Sequence, residues 1–258
     1  MSGDSIPTGA QTDDVLVIYV DNHLFAVVKP AGLLSQADAT GDIDLLTLGR
    51  QYIGCRFEKP GNVFLALVQR LDRPVSGVMV LARTSKSAVR LNEQFRTRSV
   101  VKRYCAVVEG RLLGSGRMEN RIAKSGKRAR IVAEDSLKGS RATLRWRTIA
   151  EIGGQTLVDI DLETGRPHQI RLQLAEAGHP IAGDRKHGAG NAWPGRGIGL
   201  HCYALEIQHP TRREPLVWAA GPADWDPAWL EHVGDLCQEA FISSSPAAAS
   251  DAVGRTRI

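Results

Sequence analysis

The chain has 258 residues, of which 43% are hydrophobic and 24% are charged, a composition typical of a folded soluble protein. Its formal net charge of +5 favours an anionic partner, because a positive field raises the rate of encounter with nucleic acid or acidic surfaces. No run approaches 18 apolar residues, and no basic segment followed by an apolar stretch opens the chain. We therefore expect a cytoplasmic protein that is neither exported nor held in a membrane.

Neither the cysteines nor the histidines form a metal-binding pattern. The four cysteines include no CxxC pair, so we expect free thiols in a reducing compartment rather than a zinc site or a disulfide framework. The histidines include no HxxxH or HExxH arrangement. We therefore expect no metal and no cofactor. The residues considered are Cys55, Cys105, Cys202, Cys237, His168, His179, His187, His201 and His209.

The first half of the chain alternates predicted strands and helices. Runs of β-branched and apolar residues predict the strands, and the turn sequence KPGN (59–62) separates two elements. Ala88, Leu91 and Phe95 recur at helical spacing after Ser85, which we interpret as an N-cap. The predicted strands are 15–20, 24–29, 63–68, 77–82 and 100–110, and the predicted helices are 42–53 and 86–97.

The second half of the chain continues this mixture. Gly153-Gly154 lies between two apolar runs and is a β-hairpin signal. Pro167 and Gly178 mark the two ends of a helical stretch. The predicted strands are 142–152 and 155–162, and the predicted helices are 167–178 and 227–240. Hairpins with interspersed helices favour an α+β fold whose central sheet is mixed and mainly antiparallel, with flanking helices.

The domain organisation is expected to be simple. No linker-like segment divides the chain, so we predict one domain over residues 13–241. Residues 1–12 and the small, polar tail 242–258 are predicted to be disordered. We expect the protein to be a monomer.

Residues 117–147 form a basic segment that contains ten Lys or Arg against three acids. Taken alone, such a run is either a solvated face or a surface that binds an anion. Its basic residues are Arg117, Arg121, Lys124, Lys127, Arg128, Arg130, Lys138, Arg141, Arg145 and Arg147.

The stretch LVQRLDRPVSG (67–77) places one acid, Asp72, between two arginines, directly after an apolar run and just before a Pro and a Gly. From the residues alone, Asp72 is either the carboxylate of a surface salt bridge or a charge that is held in place for chemistry. An ionised Asp in a pocket needs a cation or several hydrogen-bond donors, because desolvation raises its pKa.

Four stretches together resemble the RluA family of RNA pseudouridine synthases in order and spacing. The signatures RLD-xxxSG and TGRxHQIR are the most specific of the shared motifs. The similar stretches are KPAGLLSQ (29–36), VQRLDRPVSGVMVLARTSK (68–86), KRYCAVVEG (102–110) and LETGRPHQIRLQLAEAGHPIAGD (162–184), and residues 200–225 are similar to the closing segment of the family. The resemblance covers roughly residues 13–230. It implies the pseudouridine synthase fold with a central catalytic cleft.

The resemblance also implies a reaction. In this family a uridine in RNA is detached from its ribose, turned and rejoined through carbon, which makes the enzyme an isomerase that needs no cofactor. The catalytic Asp of the family falls on Asp72, which either attacks the sugar or removes a proton from it. The cation that pairs with this Asp falls on Arg171, and the active-site aromatic falls on Tyr104, which can stack on the base and assist a late proton transfer.

RNA-contacting residues are likewise implied. Arg70 matches an arginine that helps extrude the nucleotide, a step that is required because a stacked base hides the bond to be broken. Arg166 is expected to contact phosphate or to support its loop, with a plain surface charge as the alternative, and His168 and Gln169 are assigned to the substrate site. In the basic segment, Lys124, Lys127, Arg128 and Arg130 are the candidates for phosphate contact.

The chain departs from the family pattern at a few positions. Many members carry His at the position of Gln69, a commoner acidic-Thr pair at Pro74-Val75, and His at Gln173. The first three changes lie beside Asp72 and can alter loop shape and target choice. We also expect the small RNA-binding module that precedes the catalytic domain in larger members to be absent.

Two other function classes are considered. A catalytically silent RNA-binding protein on the same scaffold is the main alternative, although the presence of Asp72, Tyr104 and Arg171 speaks against it. A hydrolase triad of Ser76, His168 and Glu163 lacks a G-x-S-x-G nucleophile elbow. We therefore expect a pseudouridine synthase that acts on structured ribosomal or transfer RNA.

Overall fold

The structure, a computed structural model, describes residues 15–126, 128–243 and 256–257. Within these ranges the chain forms twelve strands in one sheet, four α-helices and one short 3₁₀ helix. The strands are β1 (Leu16–Val20), β2 (Leu24–Lys29), β3 (Ala66–Leu67), β4 (Ser76–Ala82), β5 (Val101–Glu109), β6 (Ser115–Ser125), β7 (Arg128–Val132), β8 (Ser140–Ile152), β9 (Gln155–Asp161), β10 (Leu200–Gln208), β11 (Pro215–Ala219) and β12 (Thr256–Arg257). The helices are α1 (Leu45–Arg56), α2 (Ser85–Thr97), α3 (Gln169–Glu176) and α4 (Pro227–Ser243), and the 3₁₀ helix is Arg185–His187.

The sheet is mainly antiparallel. Its strand order is β12-β1-β2-β4-β10-β5-β9-β8-β6-β7, with β11 beside β10 and β3 beside β4. The pair β4–β10 is parallel, while the other described pairs are antiparallel. The predicted α+β architecture with a mixed sheet is confirmed, and so is the hairpin at Gly153-Gly154, which joins β8 to β9.

Two helices begin at side chains that cap them. Asp44 accepts hydrogen bonds from the backbone N–H groups of Leu46 and Thr47 at the start of α1. Thr84 accepts one from the N–H of Ser87 at the start of α2. Such caps satisfy N–H groups that have no partner within the helix. The N-cap of α2 is therefore Thr84, one residue before the predicted Ser85.

The alternation of side chains along β5 separates the two faces of the sheet. Tyr104 and Ala106 belong to the apolar core that also contains Ile170 of α3. Cys105 and Val107 point to the other face and pack in the core that contains residues of α4. Tyr104 is thereby directed away from α4 and towards the loop that follows β3.

A glycine allows the parallel pairing at the centre of the sheet. Gly77 pairs with Cys202 of β10 and has a φ of 138°. A Cβ atom at this position would lie 2.5 Å from the backbone N and O of Cys202, which is far inside van der Waals contact. Because Gly77 follows Asp72 by only five positions, this close approach also sets where the Asp72 loop lies.

We expect Gly77→Ala to lower the free energy of unfolding by about 2–3 kcal/mol, because the methyl group combines backbone strain with overpacking. Denaturant unfolding measures the change. Gly54→Ala is the matched control, since its Cβ would meet only a methyl of Val63 at 3.7 Å and alanine favours the helix. Equal stability of the two variants would contradict the prediction.

Several segments differ from the sequence-based expectation. Strands β6, β7, β10 and β11 are not among the predicted elements, although residues 200–225 are included in the family resemblance. The strand predicted over 63–68 is reduced to Ala66–Leu67. Helix α4 continues to Ser243, and Thr256–Arg257 pair with β1. The other residues of the predicted disordered ends, 1–12, 244–255 and 258, lie outside the described residues.

Candidate active site

Backbone contacts fix the loop between β3 and β4, which carries Asp72. The carbonyl of Asp72 accepts a hydrogen bond from the N–H of Val75 at 3.0 Å, which closes a turn. The hydroxyl of Ser35 donates to the carbonyl of Leu71 at 2.8 Å and accepts from the N–H of the same residue at 3.3 Å. The Asp72 side chain is 33% exposed. A carboxylate thus projects from a firmly held loop into a cleft.

Lys29 stabilises this loop through hydrogen bonds to backbone carbonyl groups. Its ammonium is fully buried and donates to the carbonyls of Pro30 (2.9 Å), Leu33 (2.8 Å) and Arg73 (3.4 Å). Burial lowers the pKa of Lys29 to about 7, although the charge of Asp72 acts in the opposite direction. Lys29 opens the KPAGLLSQ motif, but its role as a tie between two loops could not be deduced from the sequence.

Glycine geometry holds the other side of the same loop. Gly197 has a φ of 79°, and a Cβ there would lie 2.1 Å from the carbonyl oxygen of Pro74. The N–H of Ile198 donates to that carbonyl at 3.2 Å. The backbone of Pro74, one of the departures from the family pattern, is therefore clamped by the segment that leads into β10.

A single arginine joins Asp72 to a second carboxylate. Arg171 Nη1 donates to Asp72 Oδ2 at 2.8 Å, although the two residues are 99 positions apart. On its other side Arg171 binds Asp184 with two hydrogen bonds, from Nε to Oδ2 at 2.7 Å and from Nη2 to Oδ1 at 2.8 Å. The predicted pairing of Asp72 with Arg171 is present in the structure, and Asp184 is a member that sequence reasoning missed.

The buried bond between Arg171 and Asp184 positions the guanidinium that contacts Asp72. The side chain of Arg171 is 6% exposed and that of Asp184 is 2% exposed. Burial acts to lower the pKa of Arg171, but the hydrogen bonds and charges of Asp184 and Asp72 raise it overall. The bidentate contact with Asp184 fixes the plane of the guanidinium. As a result, Nη1 of Arg171 points at Asp72.

Tyr104 forms the apolar wall of the cleft. Its side chain is buried, and it lines the cleft beside Asp72 with Leu162 and Leu200. Burial raises the pKa of the Tyr104 phenol well above its ordinary value, and Cys202 and the charge of Asp72 raise it further. The phenol therefore stays protonated at neutral pH, and its ring is available as a flat surface for a base.

The start of α3 contributes its N-cap, His168, and its first residue, Gln169. His168 Nε2 lies 3.7 Å from Asp72 Oδ2, and His168 Nδ1 lies 2.9 Å from His187 Nε2. Gln169 is buried, and its amide oxygen accepts from Thr164 Oγ1 and from the N–H of Arg166. Gln169 holds the shape of the loop before α3, and its predicted contact with substrate stays a prediction.

Two arginines lie at the rim of the cleft. Arg70 is exposed and Arg166 is half-buried, and both line the cleft that contains Asp72. Arg166 Nε donates to the carbonyl of Arg141 at 3.1 Å, which leaves the terminal guanidinium nitrogens free of that contact. Both arginines therefore lie at the same cleft as Asp72, while their contacts with RNA stay predictions.

Comparison with known proteins identifies the family to which the chain belongs. The family model described as RNA pseudouridylate synthase matches residues 23–176. The chain belongs to this family. The match covers more than half of the chain and includes the loop of Asp72, the strand of Tyr104 and Arg171. The family resemblance of the sequence motifs is confirmed, and the family is one of isomerases.

Two curated relatives illustrate the range of RNA that similar proteins modify. Ribosomal large subunit pseudouridine synthase D of Xylella fastidiosa is 33% identical over 229 residues, which are 83% of this chain and 66% of that protein. tRNA pseudouridine synthase C of Salmonella typhi is 33% identical over 237 residues, which are 83% of this chain and 87% of that protein. The chain thus spans about two thirds of the length of the first relative.

Solved structures share the fold. Human RNA Pseudouridylate Synthase Domain Containing 4 superimposes with a TM-score of 0.67 at 22% identity, over 86% of this chain and 92% of that one. Human RNA Pseudouridylate Synthase Domain Containing 1 gives a TM-score of 0.69 at 18% identity, over 93% and 99% of the two chains. At these identities the similarity establishes the pseudouridine synthase fold of this family member.

The basic segment of this RNA pseudouridylate synthase family member forms β6, β7 and most of β8. Several of its arginines form ion pairs: Arg117 and Arg141 with Glu119, Arg145 with Glu163, and Arg147 with Asp159. Lys124 and Arg130 have exposed side chains. Arg128 is described only as the first residue of β7, and Lys127 lies outside the described residues. Ion pairs thus neutralise part of the positive charge on β6 and β8. Lys124 and Arg130, near the end where β6 pairs with β7, stay exposed.

The hydrolase triad is not assembled. Ser76 Oγ lies 2.7 Å from His201 Nδ1 rather than beside His168, and His201 Nε2 lies 2.8 Å from the carbonyl of Ala220. Ser76 and His201 are both buried. Burial lowers the pKa of His201 to about 4, which keeps the imidazole neutral. Ser76 and His201 therefore form a buried hydrogen-bonded pair.

A larger cavity, of about 440 Å³, lies on the α4 face of the sheet. Three of the charged groups that line it are paired with one another: Arg147 binds Asp159 at 2.9 Å and Glu239 at 2.5 Å, and Tyr203 donates to Asp159. The smaller cleft is the one that contains Asp72. In residues 15–126, 128–243 and 256–257, no group of three or more His, Cys, Asp or Glu side chains is placed to hold a metal ion. No helix in the described part is long and apolar enough to cross a membrane.

Proposed function

We propose that this protein converts specific uridines of structured ribosomal or transfer RNA to pseudouridine, with Asp72 as the catalytic carboxylate. The observation that carries the proposal is the hydrogen bond of 2.8 Å from Arg171 to Asp72 in a cleft walled by Tyr104. The relatives named for ribosomal and for transfer RNA are equally similar to this chain. Both RNA classes therefore belong in the proposal.

The arrangement suits glycosidic bond exchange. The reaction requires one ionised carboxylate near the anomeric carbon, either as a nucleophile or as a base towards the sugar. Arg171 stays protonated throughout the useful pH range and donates a hydrogen bond to Asp72 Oδ2 at 2.8 Å. Asp72 keeps a third of its side chain open to the cleft, so that a bound nucleotide can reach it.

Entry of the nucleotide requires extrusion from the RNA, which costs a few kcal/mol of stacking. The ring of Tyr104 offers a stacking surface to the extruded base. Arg70 stands exposed at the rim, where its guanidinium can fill the space that the base leaves. Arg166, which lines the same cleft, is proposed to contact a phosphate.

The alternative is an RNA-binding protein that has lost catalysis. Purified protein is incubated with ribosomal and with transfer RNA, and pseudouridine is then mapped by chemical labelling. We expect product at defined uridines of one RNA class. Binding of RNA without any product would favour the silent protein. Mapping across all cellular RNA in a deletion strain then identifies the target.

The β6–β7 end of the basic segment is proposed to contact the RNA backbone. We expect a variant with alanine at Lys124, Lys127, Arg128 and Arg130 to bind more weakly, with the slope of log affinity against log salt smaller by up to about 3, because each phosphate contact releases counterions. The rate of the chemical step on saturating RNA should be nearly unchanged. Binding titrations between low and moderate salt measure the slope.

The control for this variant removes charges from the other face of the sheet. Lys86 and Arg96 are exposed on α2, which packs on the core that contains Leu91 and Val78 rather than Tyr104. Alanine at these two positions should leave the salt slope as it is. If the quadruple variant behaves like this control, the RNA-binding surface lies instead at the cleft rim around Arg70 and Arg166.

A further inference from the structure

We propose that His168 and His187 form a proton relay that accepts the proton lost from C5 of the uracil after the base has rejoined the ribose. The inference rests on the proposed function and adds to it a second catalytic residue, His168, and a residue that acts through it, His187. The proposal starts from an arrangement of three groups: Asp72, His168 and His187.

These groups form a line from the cleft outwards. His168 lines the cleft, with Nε2 at 3.7 Å from Asp72 Oδ2. Its other ring nitrogen, Nδ1, lies 2.9 Å from His187 Nε2, and the two rings meet edge to face. His187 is half-buried on the 3₁₀ helix that follows Asp184. A proton received at His168 Nε2 therefore has a hydrogen-bonded path away from Asp72.

The short contact between the two rings requires one ring nitrogen to donate and the other to accept. When His168 donates from Nδ1, its Nε2 carries a lone pair that faces the cleft and can accept a proton. When His187 donates, Nε2 of His168 carries the proton. Once Nε2 has taken up a proton, transfer through this hydrogen bond converts the first arrangement into the second. His168 regains its accepting form when its Nε2 proton passes to solvent, His187 returns its Nε2 proton to Nδ1 of His168, and His187 takes up a proton from solvent at its own Nδ1.

The position of the C5 proton follows from the chemistry. Once C5 has bonded to the anomeric carbon, C5 carries both its hydrogen and the sugar. Asp72 addresses that same anomeric carbon, so the departing proton lies within the small cleft that Asp72 and His168 share. A base is needed at this point, since only loss of the C5 proton restores the ring.

Loss of the C5 proton needs water as its only further reactant. The C5–H bond breaks, its electron pair forms the C5–C6 double bond, and the C6–N1 double bond becomes a single bond to an N1 that takes a proton from water. The C5 proton goes to His168 Nε2, the Nδ1 proton of His168 goes to His187 Nε2, and His187 releases its Nδ1 proton to solvent.

Other groups of the cleft are less suited to this role. The phenol of Tyr104 is held protonated by burial, so it is no base at neutral pH. Arg171 is a permanent cation that is occupied by two carboxylates. Burial lowers the pKa of both His168 and His187, with Asp72 and Asp184 opposing this and Arg171 and Lys186 adding to it. Both imidazoles are therefore neutral near pH 7, as a relay of bases requires.

The backbone of His168 is also unusual. It has a φ of 54° and a ψ of 23°, a left-handed conformation, and its side chain makes no capping hydrogen bond to α3. Non-glycine residues rarely adopt this conformation, and it is held only where the surroundings determine it. The strained position directs the imidazole to the cleft and to His187 instead of to its own helix.

The test uses RNA that carries deuterium at C5 of the target uridine. We expect His168→Asn to lower kcat about tenfold and to raise the isotope effect on kcat above about 2, because loss of the C5 proton becomes rate-limiting when its base is removed. Asparagine tolerates the left-handed backbone, and its amide can still bond to His187. His187→Phe should raise the isotope effect to a smaller extent, and it keeps the test decisive if His168→Asn does not fold.

His179→Gln is the control, because His179 bonds to the carbonyl of Glu109 and does not line the cleft. Its isotope effect should equal that of the wild type. A drop in kcat in the His168 and His187 variants without a rise in isotope effect, or no drop at all, would overturn the relay. Absence of pseudouridine from reactions of the wild-type protein would instead overturn the proposed function itself.

Discussion

We expect Asp72→Asn to abolish turnover and to leave RNA affinity within a few-fold of wild type. The substitution preserves the shape of the side chain and removes the only carboxylate that lines the described cleft. The phosphate contacts that dominate RNA affinity lie elsewhere. Because loss of a nucleophile or general base costs about 10²-fold or more, we expect less than about one per cent of wild-type activity. Pseudouridine formation and RNA binding are measured on the same preparation.

Asp42→Asn is a matched control for this variant. Asp42 bonds to Arg73, the residue after Asp72, at 2.8 Å, and its side chain is 48% exposed. The control makes the same chemical change next to the same loop without touching the cleft, so its activity should stay close to wild type. Activity of the Asp72 variant above about one per cent, or an equal loss in both variants, would remove Asp72 from its role.

The sequence was sufficient to predict the residues that its motifs contain. Asp72, Tyr104 and Arg171 each stand in a motif specific to the family, and the structure places all three around one cleft. The strands and helices with clear apolar periodicity, such as β4 and α2, were also predicted to within a few residues. In these segments local sequence and tertiary packing favour the same structure.

Other parts depend on contacts that no local pattern reports. In the sequence, Asp184 follows a glycine and cannot be distinguished from an ordinary turn residue. Only the structure shows that it is buried and bound to Arg171 by two hydrogen bonds. His187 and His168 become neighbours only when the 3₁₀ helix folds against α3. Strand β6 was missed because its dense charges obscure the alternation that a half-buried strand normally shows.

Asp184→Asn should reduce both stability and catalysis. Asp184 is one of the two carboxylates that pair with the buried Arg171. Removing one partner of a buried ion pair costs about 3–5 kcal/mol when the other charge is left uncompensated. Because Asp72 still pairs with Arg171, we expect a loss at the lower end of this range, about 3 kcal/mol or less. The guanidinium also loses the contact that aims Nη1 at Asp72. We expect kcat to fall while KM changes little. Denaturant unfolding gives the first quantity, and turnover at saturating RNA gives the second.

Asp159→Asn separates these two effects. Asp159 is also buried and binds an arginine, Arg147, at 2.9 Å, but on the α4 face of the sheet. This control should lose stability and keep its kcat. A fall in kcat that is equal in both variants would show that Asp184 acts on the fold alone.

The double variant Asp184→Asn with Arg171→Met tests whether the buried arginine serves stability or the reaction of Asp72. Replacing both members of a buried ion pair by uncharged groups is often neutral or stabilising, so we expect the double variant to recover most of the stability lost on changing Asp184 alone. It should nevertheless remain inactive, because nothing then holds and polarises Asp72. Recovery of stability without recovery of activity would show that the buried arginine is retained for the reaction of Asp72. Joint recovery of both would refute that role.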